Sequence, residues 1–494
     1  MRTMECEALI LGGGFSGTLL ASLLARRGTD VVVLEKKRHP RFAIGESSTP
    51  LANQMLRRLA IDYDLPRLAE ISRFGSWRRT FPHVTCGLKR GFAYFRHRAE
   101  EPFRSVERAN ELLVAASVAD EVGDTQWLRA DVDRWFAELA RGLDVPIWEA
   151  CHTRSIQREK DGWCLKGTID GQPFRCRCRG WLFDATGPAA LVARTQGATI
   201  TTAGFRTLSS AVYTHLEGLR RWETSLAAAG VDIGSYPFRC DDAAVHHLVD
   251  EGWIWQLRFV DGRVSIGLVR PMAGGNRDTT VDDWLSCVTR YPTLRHWLSP
   301  SELAAEPGCW VSTGPLQRRL TRVCGDHWVA LPHTYAFVDP FYSSGIAWTL
   351  CGVARLAEWY TASSGGSHTR AAPVSYARAL QREAGHLDRL IAMAYAAMSS
   401  ADLFHAAAMV YFAATTRTER TSNPSEIGFL SAGDDEFVAA TEEIARTVDQ
   451  VRLGDETSVR EVAGWIERRL EPFNQVGLFR PPEPNLYWET AAPP

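Results

Sequence analysis

Residues 7–35 constrain this chain more than any other stretch. An apolar run at 8–11 reads as a buried strand and is followed by a glycine turn. An amphipathic segment comes next, with Leu19, Leu20, Leu23 and Leu24 on one face, and then a second apolar run at 31–34. Gly12, Gly14 and Gly17 fall at the strand-to-helix junction in the spacing G-x-G-x-x-G, with Phe15 and Ser16 between them. Gly12 permits the tight turn, Gly14 lets the backbone approach a pyrophosphate, and Gly17 lets helix and strand pack closely. The helix start offers free N–H groups and a positive dipole end to phosphates. Glu35, followed by Lys36, ends the second strand, where a carboxylate accepts adenosine ribose hydroxyls. An acid there repels a 2′-phosphate, which favours FAD or NAD over NADP.

Composition narrows the class further. A chain of 494 residues buries a large core and forms two or three domains. Its net charge of −2 carries no polyanion-binding signature, so nucleic acid is not an expected partner. No run approaches the ~18 apolar residues of a membrane span, and the glycine-rich strand begins too early for a signal peptide. The expectation is a cytoplasmic protein. The 11 cysteines are scattered, without Cys-x-x-Cys spacing. Cys176 and Cys178 share a strand face but have no partner to complete a zinc site, so reduced, buried thiols and no metal are expected. Only five of the 56 basic residues are lysine: Lys36, Lys37, Lys89, Lys160 and Lys166. The 17 tryptophans suit a pocket with aromatic walls as well as a core.

Along the chain, Gly45, Glu46 and Ser47 lie in a turn before Pro50, a good first helical residue, and could bring donors to a second phosphate. Residues 83–97 alternate as strands. Residues 124–133 read as opening a helix from which Arg129 reaches a cofactor. Short strands follow through 184, with a hairpin at Asp170-Gly171. The apolar strand ending in Asp184 and Gly187 returns to the cofactor. Residues 205–270 read as a second sheet. In it, 246–259 is taken as one strand, with Trp253 and Trp255 on the same side, and Asp261-Gly262 as a hairpin turn. His246 and His247 point to opposite faces, which argues against a metal. Asp339 precedes Ser343, Ser344, Gly345 and Ile346, a second glycine-containing helix start. Beyond 370 the chain is helical, with a polar linker at 415–426 and a proline-rich end. The fold class is thus α/β, with the dinucleotide-binding domain over 1–200 (including inserted strands) and 315–365. A β-sheet substrate domain spans 201–314 and a helical C-terminal region 366–494.

The set Gly12/Gly14/Gly17, Glu35, 45–47, Arg129, 184–187 and Asp339-Pro340-x-x-Ser343-Ser344-Gly345 resembles the group A flavoprotein monooxygenases. Within them it looks most like the flavin-dependent halogenases. Gly252-Trp253-Ile254-Trp255 matches their paired-tryptophan motif, and Lys89 matches the placement of their essential lysine. The resemblance covers about residues 5–355 and implies a Rossmann-like domain of the glutathione-reductase-2 type. It further implies that reduced FAD, supplied by a separate NAD(P)H-dependent reductase, reacts with O₂ to a C4a-hydroperoxide that halide attacks. Hypohalous acid then travels to Lys89, beside an electron-rich aromatic substrate, with the tryptophans walling the flavin side from the substrate side. Ser343 and Tyr342 stand at the family's active-site serine and the residue before it. That residue is Glu in the tryptophan-type enzymes, so Tyr342 resembles the branch acting on phenols, pyrroles and carrier-tethered substrates. Leu257-Arg258 replaces the family's Ile-Pro. Pro332-His333 replaces its Gly-Asp pair, leaving His333 or Asp326 to hold the ribityl chain. Three readings follow: a halogenase; a flavin monooxygenase of an aromatic small molecule or peptide side chain that uses no halide; and a flavin-binding reductase or non-catalytic flavoprotein. Lys89 discriminates between the first two, against the plainer reading of a solvent-facing strand lysine.

Overall fold

The structure, a computed structural model, describes residues 2–160, 162–272, 277–362, 371–421, 427–488 and 490. Strand β1 (Arg2–Leu11) feeds helix α1 (Phe15–Arg26), and β2 (Val31–Leu34) returns parallel to β1 with Ala8 opposite Val31. All four β2 residues are buried, as expected of a parallel strand covered on both faces. Helix α2 (Pro50–Asp62) starts on proline, whose missing N–H would have had no helical partner anyway. Strands β3 (Cys86–Lys89), β4 (Gly91–Arg96), β5 (Glu111–Ala115) and β6 (Asp124–Trp127) follow, then α3 (Arg129–Arg141).

This corrects the helix read over 124–133. Asp124 to Trp127 pair antiparallel with β3, and the helix begins only at Arg129. Cross-strand bonding to β3 decides the strand, and that partner is invisible in a local window. Strands β7 (Cys151–Glu159), β8 (Gly162–Ile169) and β9 (Gln172–Asp184) complete this half. The β8–β9 turn carries positive φ at Asp170 (49°) and Gly171 (79°), the geometry of a two-residue hairpin. β9 runs parallel to β1 along nearly its whole length, from Phe174 opposite Arg2 to Asp184 opposite Leu11, within an eight-stranded sheet.

A nine-stranded sheet holds β10 (Ser209–Glu217), β11 (Ala244–Val249), β12 (Gly252–Arg258) and β13 (Val264–Pro271). Residues 246–259 are therefore two strands rather than one. Asp250 and Glu251 turn the chain between β11 and β12, and Gly252, at φ +148°, opens β12 opposite Val249. β4 pairs parallel with β11 and antiparallel with β5, so two strands within the span 1–200 belong to this second sheet. β14 (Trp328–Ala330) goes back to the first sheet beside β9.

The rest is mostly helical: α4 (Gly345–Ala362), α5 (Ala371–Ala397), α6 (Ala401–Arg420), α7 (Asp435–Val448) and α8 (Glu456–Leu470). The linker expected over 415–426 is helix as far as Arg420. There the Thr416 and Thr418 hydroxyls donate to the carbonyls of Phe412 and Ala414, which lets polar residues continue the helix. Residues 422–426, the boundary at 365/366 and the proline-rich end at 491–494 lie outside the described residues. One apolar core runs unbroken from β1 and α1 into α5 and α6, and a smaller one lies on the other face of the second sheet. Among the described residues no helix is long and apolar enough to cross a membrane.

Candidate active site

A cavity of about 850 Å³ opens where the first sheet's parallel strands end and runs to the second sheet. This volume is in the upper part of the range of small-molecule and cofactor sites, roughly 300–1,000 Å³. Its near end is built by the glycine turn. Gly12 sits at φ +109°, and a Cβ there would lie 2.2 Å from the Ala185 carbonyl oxygen. A Cβ on Gly17 would lie 2.1 Å from the Gly12 carbonyl oxygen, so any side chain would force α1 off the turn. Gly14, Phe15 and Ser16 line the cavity. Glu35 and Lys36 line it as well. The Glu35 carboxylate accepts from the Gly13 N–H (2.6 Å) and the Lys37 N–H (2.8 Å).

Arg129 also faces the cavity, clamped in place. It grips both Asp133 carboxylate oxygens at 3.0 and 3.1 Å and donates to the Ile44 and Gly45 carbonyls. The guanidinium thus braces the loop that presents Gly45, Glu46 and Ser47. Asp184 is placed differently from its expected role in cofactor binding. Its buried carboxylate accepts from the Thr186 N–H and hydroxyl and from the Ala193 N–H, holding the turn whose residues Ala185 to Gly187 do line the cavity.

At the far end Trp253 and Trp255 both face the cavity from β12, their rings 6.2 Å apart. Trp253 Nε1 donates to the Tyr395 hydroxyl (2.8 Å), which donates to Asp339 (3.0 Å). Asp339 also accepts from the Ser209 hydroxyl and the Phe341 N–H. Burial nevertheless pushes its carboxyl up to about 6. His333 packs under the start of α4, where a Cβ on Gly345 would lie 2.9 Å from its Nε2. Burial, with Arg318 and Arg129 adding to it, lowers its imidazole to about 3, so it stays neutral. Ser343 lines the cavity at φ +52°, a left-handed conformation that costs a residue other than glycine ~1–3 kcal/mol. Ile346 lines it too. Tyr342 is turned away from the cavity: its buried ring stacks on Tyr411 at 3.8 Å and 3°. Asp326 is also outside it, 3.6 Å from Arg158.

Lys89 is buried completely, not solvent-facing. Its Nζ donates to the Ser48 carbonyl (2.6 Å) and lies 4.1 Å from the centre of the Phe92 ring. Burial lowers the amine to about 7, against the pull of Asp124 and Glu419. Lys89 does not line the cavity but sits just behind its wall. Ser47 of the wall precedes Ser48, and Phe92 stacks on the wall residue His246 at 6.0 Å. Trp253 packs on His246 (5.0 Å) and edge-on to Phe341 (4.9 Å). The layer between cavity and lysine is therefore shared by Trp253 with His246, Phe92 and Phe341.

Sequence reasoning missed His246, Tyr395, Asp124 and Glu419. His246 had a readable signal, since it lies opposite Trp255 once the hairpin at 250–251 is recognised. The others come from distant elements and had none. As to cofactor fit, Glu46 Oε2 and Ser47 Oγ are buried without a hydrogen-bond partner among the described residues. With the glycine cradle and the two helix starts, they are fittings that FAD would satisfy.

A family model described as FAD dependent oxidoreductase matches residues 7–284. Monodechloroaminopyrrolnitrin halogenase PrnC of Pseudomonas fluorescens is 27% identical over 362 residues, 71% of this chain and 60% of that protein. Tetracycline 7-halogenase of Kitasatospora aureofaciens is 25% identical over 365 residues, 72% of this chain and 62% of that protein. The chain thus spans about 60% of the length of these curated relatives. The crystal structure of halogenase PltM in complex with phloroglucinol and FAD matches with a TM-score of 0.83 at 20% identity, over 96% of this chain and 98% of that one.

Proposed function

The chain belongs to the FAD dependent oxidoreductases, among the flavin-dependent halogenases, and from that membership we propose that it halogenates an electron-rich aromatic substrate. The observation that carries the proposal is Lys89, a buried amine with a lowered pKa set one aromatic layer behind the cavity. FAD, held by the glycine turn, Glu35, the 45–47 loop and the start of α4, supplies when reduced and in contact with O₂ the two-electron oxidation of halide to hypohalous acid. Lys89 as a free amine attacks the halogen of that acid, giving the haloamine and water. The aromatic ring then takes the halogen, returns a proton to nitrogen and regenerates the amine. An arginine could not do this, because its guanidinium stays protonated. The buried partition keeps bulk water from the reactive halogen. Reduced flavin comes from a separate reductase, as the resemblance to the flavin-dependent halogenases implies.

Mass spectrometry tests the reading directly. Phenols and pyrroles, free and carrier-tethered, are incubated with the protein, FAD, a flavin reductase, NADH and bromide. The expected product carries bromine's isotope doublet. A product that gains oxygen and no halogen would instead establish the monooxygenase.

A further inference from the structure

Two buried carboxyl groups stand beside Lys89 without a role in the reaction as described. Asp124 opens β6 directly opposite Lys89 in the β3–β6 ladder, a register that sets paired Cβ atoms roughly 4.5–5.5 Å apart. Asn53 of α2 donates to its Oδ1 at 2.6 Å, while Oδ2 is buried with no hydrogen-bond partner among the described residues. Glu419, in the last turn of α6, is buried beside the start of α2 and also acts on Lys89. Burial raises Asp124 to about 7, and burial together with the nearby Asp124 charge pushes Glu419 well above the usual carboxylate range. The remaining charged or titratable groups facing this cluster are few. Arg57 of α2 acts on Asp124. His246, held neutral by burial, faces Lys89 from β11. The phenols of Tyr342 and Tyr411 stay protonated in the buried stack.

We propose that Asp124 is a positioning residue that sets the protonation of Lys89, so that strand β6 completes the active site. The proposal rests on Lys89 being the amine that carries the halogen. Glu419 stays protonated, and Asp124 is the proton acceptor. The ammonium of Lys89 gives one proton to the Asp124 carboxylate, leaving a neutral amine and a neutral acid with no change in net charge. That balance lets a free amine form in a site where isolated charge is costly.

With only five lysines, the holoenzyme labelled with ¹³C-lysine reports Lys89 directly by NMR titration, the Lys89→Met variant assigning its signal. Lys89 is expected to titrate several pH units below the other four. Asp124→Asn, which keeps an acceptor for Asn53, should move that midpoint at least one unit further down. It should also lower kcat for halogenation at least tenfold with KM unchanged and shift the acid limb of the kcat profile to lower pH. Glu419→Gln, on a different element, replaces a neutral acid by a neutral amide and should leave the midpoint where it is. A Lys89 signal titrating with the other lysines, or one unmoved in Asp124→Asn while FAD binding is kept, overturns the proposal. The titration needs no halide. A wild-type protein that makes no halogenated product therefore counts against the halogenase reading, while the NMR midpoints still judge Asp124.

Discussion

In the proposed chemistry Lys89 does what an arginine cannot, because an amine can give up its proton near neutrality and a guanidinium cannot. Lys89→Arg is expected to lower halogenated product ~10²–10⁴-fold, the scale of one group acting in proton-transfer chemistry. Reoxidation of reduced flavin should continue, visible as oxygen uptake. If product survives the change, the amine route is wrong. Because burial brings the amine down to about 7, its reactive neutral fraction falls as pH drops below that value. Halogenation should therefore lose up to about tenfold per pH unit on the acid side and level off above it, in a kcat profile taken at saturating substrate. At this scale the glycines were the most legible residues. What Gly12 and Gly17 must do is local, a backbone sign and a missing Cβ, and both appear in the turn itself. The burial of Lys89 was not legible, since it depends on Ser48, Phe92 and Glu419 arriving from three other segments.

Elements were legible where their period was clean and their partner lay next in sequence. The β1–α1–β2 unit and the hairpin at Asp170-Gly171 meet both conditions. The reading failed at 124–127, where a distant strand recruits the backbone, and at 250–251, where a two-residue turn hides inside an otherwise continuous strand pattern. Contacts between elements carry the site's geometry, and Tyr395 on α5 is the clearest of them. Its hydroxyl ties the Trp253 indole of β12 to the Asp339 carboxylate ahead of α4. Tyr395→Phe leaves a buried N–H and a buried carboxylate each one partner short, at a cost of about 1–3 kcal/mol. The loss has a pH signature. Asp339 already holds its proton more tightly folded than unfolded, so it favours the folded state below about 6 and ceases to as pH rises through that value. Removing a donor raises the carboxyl further. Denaturant melts should therefore show Tyr395→Phe more destabilising at pH 8 than at pH 5, and equal losses at both would exclude this account.

For the whole molecule, the C-terminal helices looked like a separable region because their pattern shows apolar faces but not what covers them. The folded chain joins them to both sheets. Glu383 of α5 accepts from Trp348 Nε1 (2.9 Å) and the Phe429 N–H (3.0 Å), and pairs with Arg355 of α4 (2.6 Å). Asp388 accepts from the backbone N–H groups of Arg206 and Thr207 at the entry to the second sheet. The likeness to the PltM fold covers 96% of the chain, so this region is part of the shared architecture. A chain ended after Ala362 would expose the faces of α2 and α4 that α5 and α6 cover. It is expected to be recovered as insoluble protein that retains no FAD. Soluble, yellow truncated protein would show the region to be dispensable. The paired tryptophans stand on β12, whose backbone is bonded to β11 on one side and β13 on the other. A strand pinned along both edges cannot swing aside as a door. On the proposed chemistry the partition is then a sieve, through which a small oxidant seeps while ring-bearing molecules stay on their own side. Descendants of such a chain can trade one aromatic acceptor for another by altering the residues around Lys89, leaving the oxidant's source as inherited.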